Sequence, residues 1–114
     1  MRIPTHRAPT PPGEMLLEEF LKPMNLSQEV LAAELGLPIA QVEAIVTEQQ
    51  PITPIFALRL ARFFGMSVDF WMNLQLRWDL YHLQQQEAEA LSRIRLYTAV
   101  ISPENQAALS QGQS

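Results

Sequence analysis

The chain has 114 residues, 47% of them apolar and 18% charged, with a net charge of −4 and no cysteine. That length supports one domain core and not two, and the missing thiols exclude disulfides and thiolate metal sites. The acidic balance gives no general attraction to phosphate, so any nucleic-acid contact must rest on a local surface.

Residues 1–11, from MRIPTHRAPTPP, hold several prolines with Arg2, His6 and Arg7 and little to bury, which reads as a flexible N-terminal arm. This opening lacks the apolar run of a secretion signal. No later stretch approaches the roughly 18 uninterrupted apolar residues of a membrane span, so the expectation is a soluble cytoplasmic protein.

Pro12 suits a first helical turn, and GEMLLEEFLK places Met15 or Leu16 with Leu17, Phe20 and Leu21 on one face until Pro23 stops the helix. Ser27 caps a second helix that buries Leu31, Ala32 and Leu35 and ends at Gly36 in the left-handed conformation. A third helix runs from Ile39 to about Thr47 with Val42, Ile45 and Val46 inward. The short Gly-Leu-Pro connection makes the second and third helices an angled pair.

Thr53 and Pro54 start a fourth helix, with Ala57, Leu58, Ala61 and Phe64 inward, and Gly65 ends it. On another face of that helix Phe56, Leu60 and Phe63 repeat at i, i+4 and i+7, which leaves one face for a second chain; a dimer contact is the first reading. Ser67 caps a fifth helix, whose Trp71, Leu74, Trp78 and Tyr81 read as core or dimer interface. Ala88, Leu91, Ile94 and Ile101 or Thr98 line a stripe that predicts one further helix over 85–101, followed by a disordered tail at 102–114. With no strand candidate the fold class is all-α, centred on residues 12–84.

Leu31, Ala32, Gly36, Leu37, Val42 and Ile45 form the apolar and glycine skeleton of a helix-turn-helix. With Pro-Gly-Glu opening the first helix, ALRLARFFG in the fourth, and FWMNLQ followed by Trp78-Asp79-Leu80 in the fifth, residues 11 to 83 resemble the Xre-type DNA-binding domains. More narrowly, they resemble the HigA (VapI) antitoxins. The resemblance implies a five-helix, lambda-repressor-like helix-turn-helix domain with an extra C-terminal helix. It also implies a homodimer that represses its own operator and sequesters a HigB-like toxin.

The DNA-facing positions that the resemblance implies are Pro38, Ile39, Ala40, Gln41, Glu43 and Ala44, acidic or apolar except for Gln41 where the family is usually polar or basic. Gln28 and Gln41 offer amide groups to base edges, Ala40 and Ala44 offer methyls to thymine, and Thr47 and Gln49 can reach phosphate. Glu43 and Glu48 repel the backbone, and Arg2 and Arg7 offset them. The alternative is an interaction module that keeps the fold with weak or no DNA binding. Phe56, Leu60, Phe63, Trp71 and Trp78 are the expected dimer interface.

Arg59 and Arg62 read as a solvated face pairing with carboxylates rather than a DNA clamp. Asp79 with His82 falls short of a metal or acid-base site, and Glu18 with Glu19 and Glu87 with Glu89 point to different helix sides. No nucleophile, phosphate loop, metal ligand set or cofactor motif is present, so the chain reads as non-enzymatic, with no cofactor.

Overall fold

The computed structural model describes residues 8–100; the expected tail at 102–114 and the arm residues Arg2, His6 and Arg7 lie outside them. The elements are α1 (Pro12–Leu16), a π-helical turn (Leu17–Leu21), α2 (Gln28–Leu35), α3 (Ile39–Val46), α4 (Pro54–Phe64), α5 (Val68–Gln86), α6 (Ala88–Ser92) and α7 (Tyr97–Val100). No strand occurs among the described residues, and no helix there is long and apolar enough to cross a membrane.

The helix boundaries follow local chemistry. Ser27 Oγ accepts from the Val30 amide at 3.0 Å and Thr53 Oγ1 from the Phe56 amide at 3.2 Å, which caps α2 and α4. Gly36 (φ 70) and Gly65 (φ 68) end the same two helices in the left-handed region, where a Cβ is penalised. Pro38 then opens α3 in an extended conformation, which completes the turn between the angled helices.

The first helix does not run uniformly to Pro23. From Leu17 it widens by one residue per turn, with the Lys22 amide on the Leu17 carbonyl at 3.0 Å and the Leu26 amide on the Leu21 carbonyl at 2.9 Å. Phe20 sits in this turn, its ring 5.1 Å from Phe64, 6.0 Å from Phe70 and 4.9 Å from Trp71. Leu16, Leu21, Leu31, Val42, Ile45, Ile52, Phe56, Leu60 and Trp71 form the dry centre of the domain.

Helix α4 corrects two expectations. Phe56 and Leu60 are fully buried beside Ala57 and Ala61, whereas Leu58 is 56% exposed. At about 100° per residue, Phe56–Leu60 and Ala57–Ala61 are neighbouring columns of one broad inward face, and Leu58 lies about 160° round from Phe56 and Leu60. The two stripes in the sequence are therefore one, and Phe56 and Leu60 are core residues, not a dimer contact. Trp71 is likewise fully buried and unavailable to another chain, while Phe63 stays exposed and Trp78 half-buried.

Two compact units divide between His82 and Leu83, inside α5. The single helix expected over 85–101 is broken: residues 85–86 end α5, α6 and α7 follow, separated by residues 93–96, and Ile101 lies outside the described residues. Leu91 and Ile94 of the stripe are 48% and 70% exposed, so they lack the burial by which tertiary packing would extend a marginal helix.

Candidate nucleic-acid interface

Helix α3 buries Val42, Ile45 and Val46 and turns its other side outward. Pro38, Ala40, Glu43, Thr47 and Gln49 are exposed; Ile39, Gln41, Ala44 and Gln28, the first residue of α2, are half-buried. All nine positions expected to face DNA thus reach solvent in the protomer. Glu43 has no hydrogen-bond or ion-pair partner for its side chain among the described residues. Thr47 Oγ1, in contrast, donates to the Glu43 carbonyl at 2.8 Å, so a phosphate contact from that hydroxyl would require it to rotate away from its own helix.

Three polar side chains from outside α3 brace the segments that flank it. Arg59 Nη1, from α4, donates to the carbonyls of Leu35 at 2.7 Å and Gly36 at 3.3 Å, the negative end of the α2 dipole. The guanidinium is thus engaged at the corner itself, and the expected pairing of Arg59 with a carboxylate is not made.

Beyond the other end of α3, Glu48 adopts φ 64 and turns its carboxylate back to α1, where Oε2 accepts from the Glu14 amide at 3.1 Å. A negative group on free amides at a helix N-terminus is favourable, so Glu48 caps the first helix from 34 positions away. Glu48 thus has a structural role beside the charge that the sequence shows.

The loop after Glu48 is tied down by Gln75 of α5, a buried polar residue. Gln75 Oε1 accepts from the Ile52 amide at 2.8 Å, and Gln75 Nε2 donates to Asp79 Oδ1 at 2.9 Å. Asp79 consequently serves Gln75 rather than His82, whose ring packs on Trp78 at 4.3 Å and Tyr81 at 5.2 Å.

A helix-turn-helix family model matches residues 17–71, which spans the angled pair, α4 and the start of α5. Virulence-associated protein I of Dichelobacter nodosus is 43% identical over 88 residues, covering 75% of this chain and 82% of that protein. An addiction module antidote protein of a HigA family from Coxiella burnetii superposes with a TM-score of 0.74 at 35% identity, covering 80% of this chain and all of that one. The chain belongs to the HigA (VapI) family. The Pseudomonas aeruginosa antitoxin HigA, solved with the higBA promoter, has the same fold, with a TM-score of 0.74 at 36% identity over 78% of this chain and 98% of its own.

The structure gives the HigA-like motifs of this chain physical roles. In Pro-Gly-Glu the glycine lets α1 meet the end of α3, because a Cβ on Gly13 would coincide with the Ile45 carbonyl oxygen. In FWMNLQ the Trp fills the core and the Gln holds the loop after α3; the Asp of Trp78-Asp79-Leu80 orients that Gln.

Sequence reasoning passed over Gln75 because a glutamine on a mixed helix face looks solvated. Its signal was position, four residues after a core Trp and four before an Asp on the same side of the helix. It also passed over Leu76 and Leu80, which at i and i+4 are 52% and 46% exposed on the outer side of α5.

Glu48 carries a pH prediction. Desolvation against the α1 backbone raises its carboxyl above the ordinary value near 4.5, and the amide hydrogen bonds only partly oppose this. A carboxyl raised by folding favours the fold most below its unfolded value, and that contribution is lost as pH rises through its folded value. Glu48→Gln keeps an acceptor for the cap and cannot ionise. Urea unfolding across pH is therefore expected to show wild type losing stability relative to Glu48→Gln as pH climbs from about 4 toward neutrality; a constant difference would contradict it.

Proposed function

We propose that the chain is the antitoxin of a HigB/HigA-type module, a cytoplasmic, non-enzymatic homodimer that represses its own operator and sequesters a HigB-like toxin. The observation that carries the reading is the free outward side of α3 in a chain 36% identical to a HigA solved on promoter DNA. In this reading α3 is the recognition helix. A two-fold dimer presents two copies to successive major grooves about 34 Å apart. Gln28 and Gln41 read base edges, and the methyls of Ala40 and Ala44 meet thymine. Affinity rests on shape and amide contacts more than on charge, because α3 contains Glu43 and no Lys or Arg.

The test is a titration of the operator and of random duplex across a salt series. Glu43→Lys is expected to strengthen binding to both, and to steepen the slope of log K against log salt by about 0.9 for each phosphate that the new lysine neutralises. Gln41→Ala is expected to bring operator and random duplex closer by about 1–3 kcal/mol per half-site, the worth of one bidentate base contact. An unchanged slope in Glu43→Lys would remove α3 from the phosphates.

A second reading draws on the same exposed, unpaired Glu43: a module that binds its protein partner through this fold and leaves DNA alone. Toxin capture by a chain that shows no operator preference at low salt would favour it.

A further inference from the structure

Helix α3 is anchored unevenly. Its buried residues, Val42, Ile45 and Val46, begin at its fourth position, while Ala40 and Gln41, which the proposed function sets against the bases, belong to its first turn. No side chain caps the free amides of that turn, and Pro38 before it has no group that could. Apolar packing fixes how deep the far end lies; the corner aims the near end. At 1.5 Å per residue α3 is about 12 Å long, so a swing of about 10° displaces one end against the other by about 2 Å, more than a base-edge hydrogen bond tolerates.

The corner is held from two directions. Its amides bond back into α2, Gly36 to the Ala33 carbonyl at 3.2 Å and Leu37 to the Ala32 carbonyl at 2.9 Å, and the Pro38 ring fixes φ at −63. Its carbonyls are held by Arg59. One nitrogen, Nη1, bridges the successive carbonyls of Leu35 at 2.7 Å and Gly36 at 3.3 Å, which ties together the peptides on either side of the Gly36 Cα, the position where the backbone is otherwise freest. Among the described residues no other side chain is hydrogen-bonded to residues 35–38. The anchor of this bridge is rigid, because Phe56 and Leu60 on the same helix as Arg59 are fully buried. We infer that Arg59 is a positioning residue for operator recognition: it locks the Gly36 hinge so that Ala40 and Gln41 meet base edges in register. This rests on α3 being the recognition helix of the proposed function. The contribution of Arg59 is to discrimination, since its charge is turned on the protein's own carbonyls and not on phosphate.

The test titrates two duplexes of equal length across a salt series, one carrying the promoter of the chain's own gene and one of random sequence, with the full chain and with Arg59→Met, Arg59→Lys and Arg62→Met. Arg59→Met keeps the length of the side chain and removes every donor. It is expected to weaken promoter binding about ten-fold or more, to change random-duplex binding by less than about two-fold, and to leave the slope of log K against log salt unchanged. Arg59→Lys keeps a charged donor and is expected to return promoter binding to within about three-fold of wild type. Arg62→Met removes the same charge one turn along α4 and is expected to leave the ratio of the two affinities as it was. In the free protein, the Leu37 amide is expected to exchange with deuterium about ten-fold faster in Arg59→Met than in wild type, while amides inside α5 keep their rates and show that the variant is folded. The inference is overturned if Arg62→Met loses as much discrimination as Arg59→Met, if lysine restores none of it, or if Leu37 exchange is unchanged. Both duplexes weakened alike, with a slope shallower by about 0.9 per protomer, would overturn it too and assign Arg59 to a phosphate. A wild-type chain that binds the two duplexes equally sinks the repressor reading and the positioning role with it, whereas a wild-type preference that survives in Arg59→Met sinks the positioning role alone.

Discussion

Gly13→Ala is expected to destabilise the domain by about 3 kcal/mol, the upper part of the range for overpacking a rigid site. Helix propensity alone gives the opposite sign, since alanine is favoured over glycine inside a helix by about 1 kcal/mol. The packing wins because of what the new methyl would meet. It would coincide with the Ile45 carbonyl oxygen and come within 2.6 Å of Glu48 Oε2 and 2.8 Å of the Val46 carbonyl oxygen. Two of these three are backbone at the end of α3, so no rotamer change relieves them, and the Glu48 cap on α1 is displaced as well. For a domain of this size the loss corresponds to a melting temperature lower by roughly 12–24 °C, measurable by calorimetry.

Gly65→Ala is the control. That glycine ends α4, and a Cβ there meets nothing within 4 Å, so only the left-handed strain of about 1–2 kcal/mol remains. Equal effects at the two glycines would mean that the close approach of α1 to α3 is not what Gly13 provides.

Gln75→Leu is expected to lower stability by about 2–3 kcal/mol although leucine is the more apolar residue. Ile52 is 2% exposed and its amide has Gln75 Oε1 as acceptor, so the substitution strands a buried N–H; the desolvation of such an orphan costs about 1–3 kcal/mol before the lost bond to Asp79 is counted. Gln75→Glu separates the two halves of the amide. It keeps the acceptor but places a second carboxylate beside Asp79 Oδ1, where the amide donor stood at 2.9 Å. Repulsion raises the carboxyl at position 75, so this variant is expected to be close to wild type at low pH, where the protonated acid donates to Asp79, and to lose stability as pH rises. Denaturant titrations at two pH values distinguish the cases. Gln75→Leu equal to wild type in both would show that the Ile52 amide finds another partner.

Much of the fold was legible because its punctuation is local. Ser27, Gly36, Thr53 and Gly65 each act on backbone within four residues, so their types announce where α2 and α4 begin and end. The outward positions of α3 followed from its period once Val42, Ile45 and Val46 were placed inside. What the sequence hid is of two kinds. On α4, adjacent apolar columns are indistinguishable from opposed ones until the depth of the core is known, so the pattern alone puts Phe56 and Leu60 outward and Leu58 inward. And Arg59, Glu48 and Gln75 bond to backbone groups, which have no sequence signature, 24, 34 and 23 positions away.

Those three remote bonds also govern motion. A short helix with free ends would fray by itself, but the corner before α3 is held to α4, the turn after it to α1 and the loop beyond to α5. Its amides should therefore exchange with deuterium more slowly than those of a helix with free ends. A segment so held enters a binding event already ordered, with no folding step left to complete, and the heat-capacity change on engaging a duplex should match the surface covered and nothing more.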